Sequence, residues 1–145
     1  TIGELTEDDF RTVYRPKVDG ARHLHECSLE LELDFFVLFS SITGGIGSAG
    51  QANYAAANGC LDALATERRS AGLPALSVRW GAWSGGGMAS DQAMRRSAQI
   101  GILPLSPSQG TDTLMQLIRH PVESPVVTVC PMDPRKLPDS PYFSN

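Results

Sequence analysis

One stretch of the chain, residues 34–58, limits the possible folds more than any other. It opens with the apolar run FFVLF, passes through two serines and a glycine-rich segment, and ends in an alanine-rich segment typical of a helix. A nearly continuous apolar run of this length is typical of a strand buried on both faces of a parallel sheet. We therefore expect an α/β protein with this strand, loop and helix at its centre.

The composition narrows the functional classes. The 145 residues fit one domain, and a formal net charge of -4 argues against a nucleic-acid-binding surface. No apolar run reaches the ~18–20 residues that a membrane-spanning helix needs, and no signal peptide is evident. Three cysteines without a CxxC pair favour reduced thiols: Cys27, Cys60 and Cys130. The sequence therefore predicts a cytoplasmic protein that binds neither membrane nor nucleic acid.

The segment before the central strand contains an unexpected lysine. Thr6 predicts the start of a first helix. Pro16 either ends this helix or is the first residue of a new one. Four residues of the next segment share one helix face by spacing: Lys17, Gly20, Ala21 and Leu24. We expect this face to be buried. Lys17 is then either a snorkelling lysine at a helix end or a functional ammonium that points inward.

The central stretch itself carries the candidate chemistry. Ser40 and Ser41 end the predicted strand, where ligands bind in open parallel sheets, although serines also occur there as plain turn residues. Twelve residues separate Ser41 from Tyr54, and Asn58 follows Tyr54 at i+4, on the same helix face. A tyrosine can donate a proton, and a nearby cation makes it a better donor by stabilising the tyrosinate. Lys17 is the candidate cation.

Two other patterns are weaker. Gly45, Gly47 and Gly50 form a literal G-x-G-x-x-G between a strand and a helix, as in dinucleotide-binding modules. These glycines start several residues after the strand, and no acidic second strand follows at the usual distance. His23 and His25 point apart on a helix, so they form a poor chelate, and no metal site is expected.

Together these residues resemble the short-chain dehydrogenase/reductase superfamily. In most of that superfamily a lysine lies four residues after the tyrosine, whereas here that position is Asn58 and the lysine lies upstream. In this exchange of lysine and asparagine, the sequence resembles the ketoreductase domains of polyketide synthases and of animal fatty acid synthase. Further matching motifs are PKVDGA, FVLFSS, GQANYAAAN, LDALA, SVRWGAW and GMA, which extend the resemblance from about Leu5 to about Pro134.

The resemblance implies a doubly wound, Rossmann-like fold with a parallel sheet and flanking helices. Residues 1–134 would form only the C-terminal half of such a catalytic domain, and residues 135–145 a linker toward a following domain. The glycine-rich loop that binds NADPH would belong to the other half, so the isolated chain is expected to be inactive. The alternatives are a non-catalytic structural or docking role in a synthase, or the equivalent reductase of a fatty acid synthase.

The resemblance also assigns roles to individual residues. The implied catalytic residues are Ser41, Tyr54, Lys17 and Asn58. The implied contacts to NADPH are Tyr54, Lys17, Gly81 and Trp83, and those to substrate are Ser41 and Met88. In this scheme Tyr54 protonates the alkoxide, Ser41 orients the carbonyl group, Lys17 stabilises the tyrosinate and contacts the ribose, and Asn58 holds a proton-relay water.

The same resemblance suggests the substrate and the partners. The substrate would be a β-ketoacyl thioester on the phosphopantetheine arm of an acyl carrier protein, and the partners would include other synthase domains. Ile46 and Gln51 stand where two stereochemical classes carry tryptophan and histidine, which weakly favours a product alcohol of D configuration.

Overall fold

A computed structural model describes residues 2–86 and 91–136 of the chain. Its helices are α1 (Glu7–Tyr14), α2 (Gly20–Cys27), α3 (Thr43–Ile46), α4 (Ala52–Ser70), α5 (Asp91–Gln99) and α6 (Pro107–Arg119). Its strands are β1 (Val37–Ser41), β2 (Leu76–Trp80) and β3 (Val126–Val129). A one-turn π-helix, Arg15–Asp19, joins α1 to α2, and a 3₁₀ turn, Ile2–Glu4, precedes α1. The strand β1 lies where the apolar run of the sequence predicts a strand.

The strands form one parallel sheet in the order β1-β2-β3. Between β2 and β3, Ser77 N donates to Pro125 O and Gly81 N donates to Val129 O. Both partners advance by four residues in the same direction, which is the register of parallel strands. The predicted α/β fold, with a parallel sheet and flanking helices, is therefore confirmed.

The chain divides into two compact units, whose boundaries fall within β2 and β3. The first comprises Thr1–Arg79 and Glu123–Val127, and the second Trp80–Val122 and Thr128–Asn145. In the first unit, α4 packs against β1, α1 and α3. The core of this unit consists of Ala21, Leu38, Leu61, Leu64, Ala65 and Ala75. Within the described residues no helix is long and apolar enough to cross a membrane.

Local sequence explains where the helices begin. The Thr6 side chain accepts from the backbone N–H of Asp9, whose carboxylate accepts from the backbone N–H of Thr6. Ser106 and Gln109 make the same reciprocal arrangement at the start of α6. Each arrangement satisfies two backbone donors that a helix start otherwise leaves unpaired. Pro16 lies in the first turn of the π-helix, where its missing N–H does no harm.

Two burial predictions are wrong. Leu24 is 64% exposed, because the inward stripe of α2 advances by four residues, from Lys17 through the buried Ala21 to the half-buried His25. Leu24 lies beside that stripe and not on it. Phe39 is 50% exposed although its strand was expected to be buried on both faces. Side chains alternate along a strand, and α4 covers the opposite face through Leu38.

Candidate active site

The helix α4 places Tyr54 and Asn58 on one face, as their spacing predicts. Asn58 is fully buried at 0% exposure, and Tyr54 is half-buried. The Asn58 side-chain amide Nδ2 donates to the Tyr54 backbone oxygen over 2.7 Å. This bond fixes the Asn58 side chain and turns its amide oxygen away from α4.

Lys17 meets that oxygen from the π-helix. Its Nζ donates to Asn58 Oδ1 over 3.0 Å and to the backbone oxygen of Phe39 over 3.1 Å. The same ammonium lies 5.5 Å from the centroid of the Tyr54 ring, within the range of a cation–π interaction. Lys17 therefore points inward, and the structure brings together three of the four residues implied to be catalytic.

The ammonium of Lys17 is held mainly by neutral groups. Burial lowers the pKa of Lys17 from its usual value, and the carboxylate of Asp62 partly opposes this by favouring the charged form. Lys17 thus loses its proton at a lower pH than an exposed lysine does. The hydrogen bonds to Asn58 and to the Phe39 carbonyl stabilise the charge where water reaches it less.

Ser41, the fourth residue, ends β1 and is 9% exposed. Its hydroxyl oxygen accepts from the Thr43 backbone N–H over 3.3 Å and from the Thr43 hydroxyl over 3.0 Å. Both bonds use the oxygen as acceptor, so the Ser41 proton can still be donated to a ligand. Ser40 points to the other face of the strand, where its hydroxyl donates to Asn58 O over 3.2 Å.

The glycine-rich segment after Ser41 contains a short helix, α3, where the sequence suggested an open loop. A Cβ at Gly44 would lie 3.1 Å from Cβ of Asn58, so glycine lets α3 approach α4 closely. Gly45 lies within α3 and does not form the tight turn after the strand that a dinucleotide fingerprint needs.

The remaining implied contacts lie elsewhere. Gly81 and Trp83 belong to the second unit, and each takes part in a close packing contact there. A Cβ at Gly81 would lie 2.8 Å from the sulfur of Cys130, and the Trp83 ring packs directly on Gly110. Met88 lies outside the described residues. The cofactor and substrate roles of these three residues stay predictions.

Sequence reasoning missed two charged residues near the site, Asp62 and Arg79. Asp62 continues the Tyr54 and Asn58 series at i+4, so the helix periodicity offered a signal for it. The sequence contains no such signal for Arg79, because its place beside the glycine-rich segment depends on the packing of β2.

Known proteins match this chain in sequence and in fold. The family model for the KR domain matches residues 1–85. A spectinabilin polyketide synthase system protein, NorB of Streptomyces orinoci, is 58% identical over 113 residues, which are 75% of this chain and 5% of that protein. The first ketoreductase of the tylosin polyketide synthase is 45% identical with a TM-score of 0.80, over 91% of this chain and 29% of that one. A-type ketoreductases from a modular polyketide synthase are 41% identical with a TM-score of 0.85, over 93% and 28% respectively.

Proposed function

Because the chain belongs to the ketoreductase (KR) domain family of polyketide synthases, we propose that it supplies the catalytic residues for reducing a β-ketoacyl thioester to a β-hydroxyacyl thioester. The observation that carries this proposal is the contact of Lys17 with Asn58 and with the face of the Tyr54 ring. A purely structural helix pair has no need of an inward ammonium beside a half-buried tyrosine.

The proposed reaction adds a hydride and a proton across a carbonyl group. Ser41 donates a hydrogen bond to the carbonyl oxygen, on which negative charge develops. Tyr54 transfers its hydroxyl proton to that oxygen, which becomes the product alcohol. Lys17 stabilises the resulting tyrosinate, and Asn58 holds the ammonium of Lys17 in place. The role of Asn58 in anchoring a relay water stays a prediction.

NADPH is the proposed cofactor, and when bound it supplies the hydride. The described residues fit its nicotinamide ribose, because Lys17 has three N–H donors and gives two of them to Asn58 and to the Phe39 carbonyl. The third can donate to a ribose hydroxyl. The described glycine-rich segment does not fit the phosphates, since Gly45 is helical. We assign phosphate binding to other parts of the domain.

We also propose that the chain works as one portion of a longer domain. It covers 28–29% of the two solved ketoreductases named above. Several large apolar side chains of the first unit are exposed, among them Leu24, Leu29, Leu31, Phe35 and Phe39. Such a concentration of apolar surface favours coverage by further chain. The acyl carrier protein that presents the substrate, and the other synthase domains, are the proposed partners.

The test is Tyr54→Phe in the complete ketoreductase domain that contains this chain. Phenylalanine keeps the ring that faces Lys17 and removes only the hydroxyl group. We expect the rate of NADPH oxidation with a β-ketoacyl thioester to fall by about 10²–10⁴-fold, the usual contribution of a general acid. Comparing NADPH with NADH, and a carrier-bound thioester with a free one, tests the cofactor and the partner in the same assay.

A matched control is Tyr14→Phe. Tyr14 is also half-buried and helical, and its hydroxyl lies 3.7 Å from the sulfur of Cys60, on the α1 side of α4. This variant should reduce the thioester at the parent rate. If Tyr54→Phe kept that rate as well, Tyr54 would not be the proton donor and the proposed function would be wrong.

A further inference from the structure

Asp62 is a buried carboxylate that the proposed reaction leaves without a role. It lies one helix turn beyond Asn58 on α4 and is 5% exposed. Its Oδ1 accepts from the Ser77 hydroxyl, and its Oδ2 accepts from Nε of Arg79 over 2.7 Å. A buried carboxylate with two fixed donors is held in one orientation, and so is the arginine that it binds.

The guanidinium of Arg79 lies directly against the segment that follows Ser41. A Cβ built on Gly45 would come within 2.9 Å of Arg79 Nη1. The neighbouring Gly44 approaches Asn58 in the same way. Two contacts therefore hold the short helix α3. Gly44 packs against Asn58 of α4, and Gly45 packs against the side chain of Arg79.

The position of α3 sets the position of the Ser41 hydroxyl. Thr43, the first residue of α3, donates both of the hydrogen bonds that Ser41 accepts. A shift of α3 would move these donors and turn the hydroxyl. In reactions that depend on near-attack geometry, a displacement of about 1 Å can lower the rate by about 10²-fold.

We propose that Asp62 and Arg79 are positioning residues, which hold α3 against α4 and thereby orient Ser41 for the carbonyl group of the substrate. The proposal rests on the ketoreductase function proposed above and adds two residues to it. Neither residue touches the reacting atoms. Arg79 acts through Gly45 and Thr43, and Asp62 acts through Arg79.

Asp62 has a second connection to the site. Its carboxylate favours the charged form of Lys17 and so raises the pKa that burial lowers. The Tyr54 ring of α4 faces the Lys17 ammonium, and Asp62 of the same helix acts on it through its charge and binds Arg79 of β2. Loss of the Asp62 charge should therefore affect Lys17, whereas loss of Arg79 should not lower the Lys17 pKa.

A plain structural ion pair is the competing explanation, so the test needs readouts that stability alone would not change. The complete ketoreductase domain is compared as parent, Arg79→Ala, Asp62→Asn and the double variant. Arg69→Ala is the matched control, because Arg69 is also half-buried and donates to the backbone oxygens of Ala75 and Glu123, away from α3. Thermal unfolding, kcat, KM for the thioester and the pH profile of kcat are measured for each.

We expect Arg79→Ala to lower kcat by about 10- to 100-fold with little change in KM. The double variant should be no slower than the slower single variant, because the two residues act as one unit. Asp62→Asn should also move the alkaline fall in activity to lower pH, and Arg79→Ala should not. Arg69→Ala should keep the parent kcat even where its unfolding temperature falls.

A substitution that keeps both charges gives an independent check. Gly45→Ala adds a methyl group where Arg79 Nη1 now lies, and the backbone of Gly45 suits alanine because its φ is not positive. We expect a lower kcat from Gly45→Ala in the parent and no further loss in the Arg79→Ala background. Gly59→Ala, at a helical position with open space around it, is the control and should keep the parent kcat.

The outcomes separate the two proposals. If Arg79→Ala and Gly45→Ala both keep the parent kcat while Tyr54→Phe is inactive, the positioning role is wrong and the ketoreductase function stands. Equal losses of kcat in Arg79→Ala and in the Arg69→Ala control would also overturn it, because they would reflect stability. A fully active Tyr54→Phe would overturn the proposed function, and the positioning role with it.

Discussion

Replacing Asn58 with alanine should lower the free energy of unfolding far more than replacing a surface asparagine would. Asn58 is fully buried, and both polar ends of its side chain are used. Its Oδ1 accepts from the ammonium of Lys17, and its Nδ2 donates to the Tyr54 carbonyl. Asn58→Ala removes both bonds and leaves the half-buried ammonium with one fewer acceptor.

The expected magnitude follows from these two bonds. A hydrogen bond to a charged group contributes about 1.5–3 kcal/mol and a neutral one about 0.5–1.5 kcal/mol. Lys17 is only half-buried, so water can replace part of the lost acceptor. We therefore expect Asn58→Ala to lower the free energy of unfolding by about 2–4 kcal/mol.

Urea denaturation of the parent, Asn58→Ala, Lys17→Met and the double variant would measure both the total loss and the pairwise coupling. We expect a coupling energy of at least about 1 kcal/mol between the two residues. The control is Asn53→Ala, which removes a half-buried amide of the same helix whose bonds, to Asp9 O and from Tyr54 N, are neutral. A coupling energy near zero would refute the view that Asn58 holds the Lys17 ammonium.

Two further predictions concern pH and packing. Reductase activity should fall as pH rises through the pKa of Lys17, and because burial lowers this pKa, the fall should begin at a lower pH than an exposed lysine would give. Lys17→Arg keeps its charge and should move this fall to higher pH, so an unchanged pH profile would contradict the role of the ammonium. Gly110→Ala places a methyl group inside the Trp83 ring and should lower stability by about 1–3 kcal/mol, measured by thermal unfolding. Gly59→Ala, in an open helical position, should instead raise stability by up to about 1 kcal/mol, and equal effects of the two changes would contradict the packing argument.

The sequence predicts the local structure well, because the signals are local. The apolar run before Ser41 identifies β1, and the spacing of Tyr54 and Asn58 places both on one face of α4. Thr6 and Ser106 mark helix starts because each is followed three residues later by a side chain that completes the cap. These features depend on backbone geometry and on neighbours within one helix turn.

Predictions that depend on which neighbour covers a face are less secure. The sequence predicts a buried Leu24 and a fully buried β1, yet Leu24 and Phe39 are exposed in this chain. Helical spacing shows which residues share a face, but it does not show which of two adjacent faces is buried. A strand pattern does not show whether both faces of the strand are covered.

The candidate site shows the same division. The identities of Ser41, Tyr54 and Asn58 follow from spacing along one strand and one helix, and their resemblance to a reductase family is visible in the sequence. Tertiary structure alone decided that Lys17 points inward, because its two acceptors, on β1 and α4, lie 22 and 41 residues further along the chain. It also brought Arg79 from β2 against Gly45, with Asp62 as its partner. Helix periodicity constrains neighbours within a few residues, whereas contacts across such distances exist only once the sheet and its helices have packed.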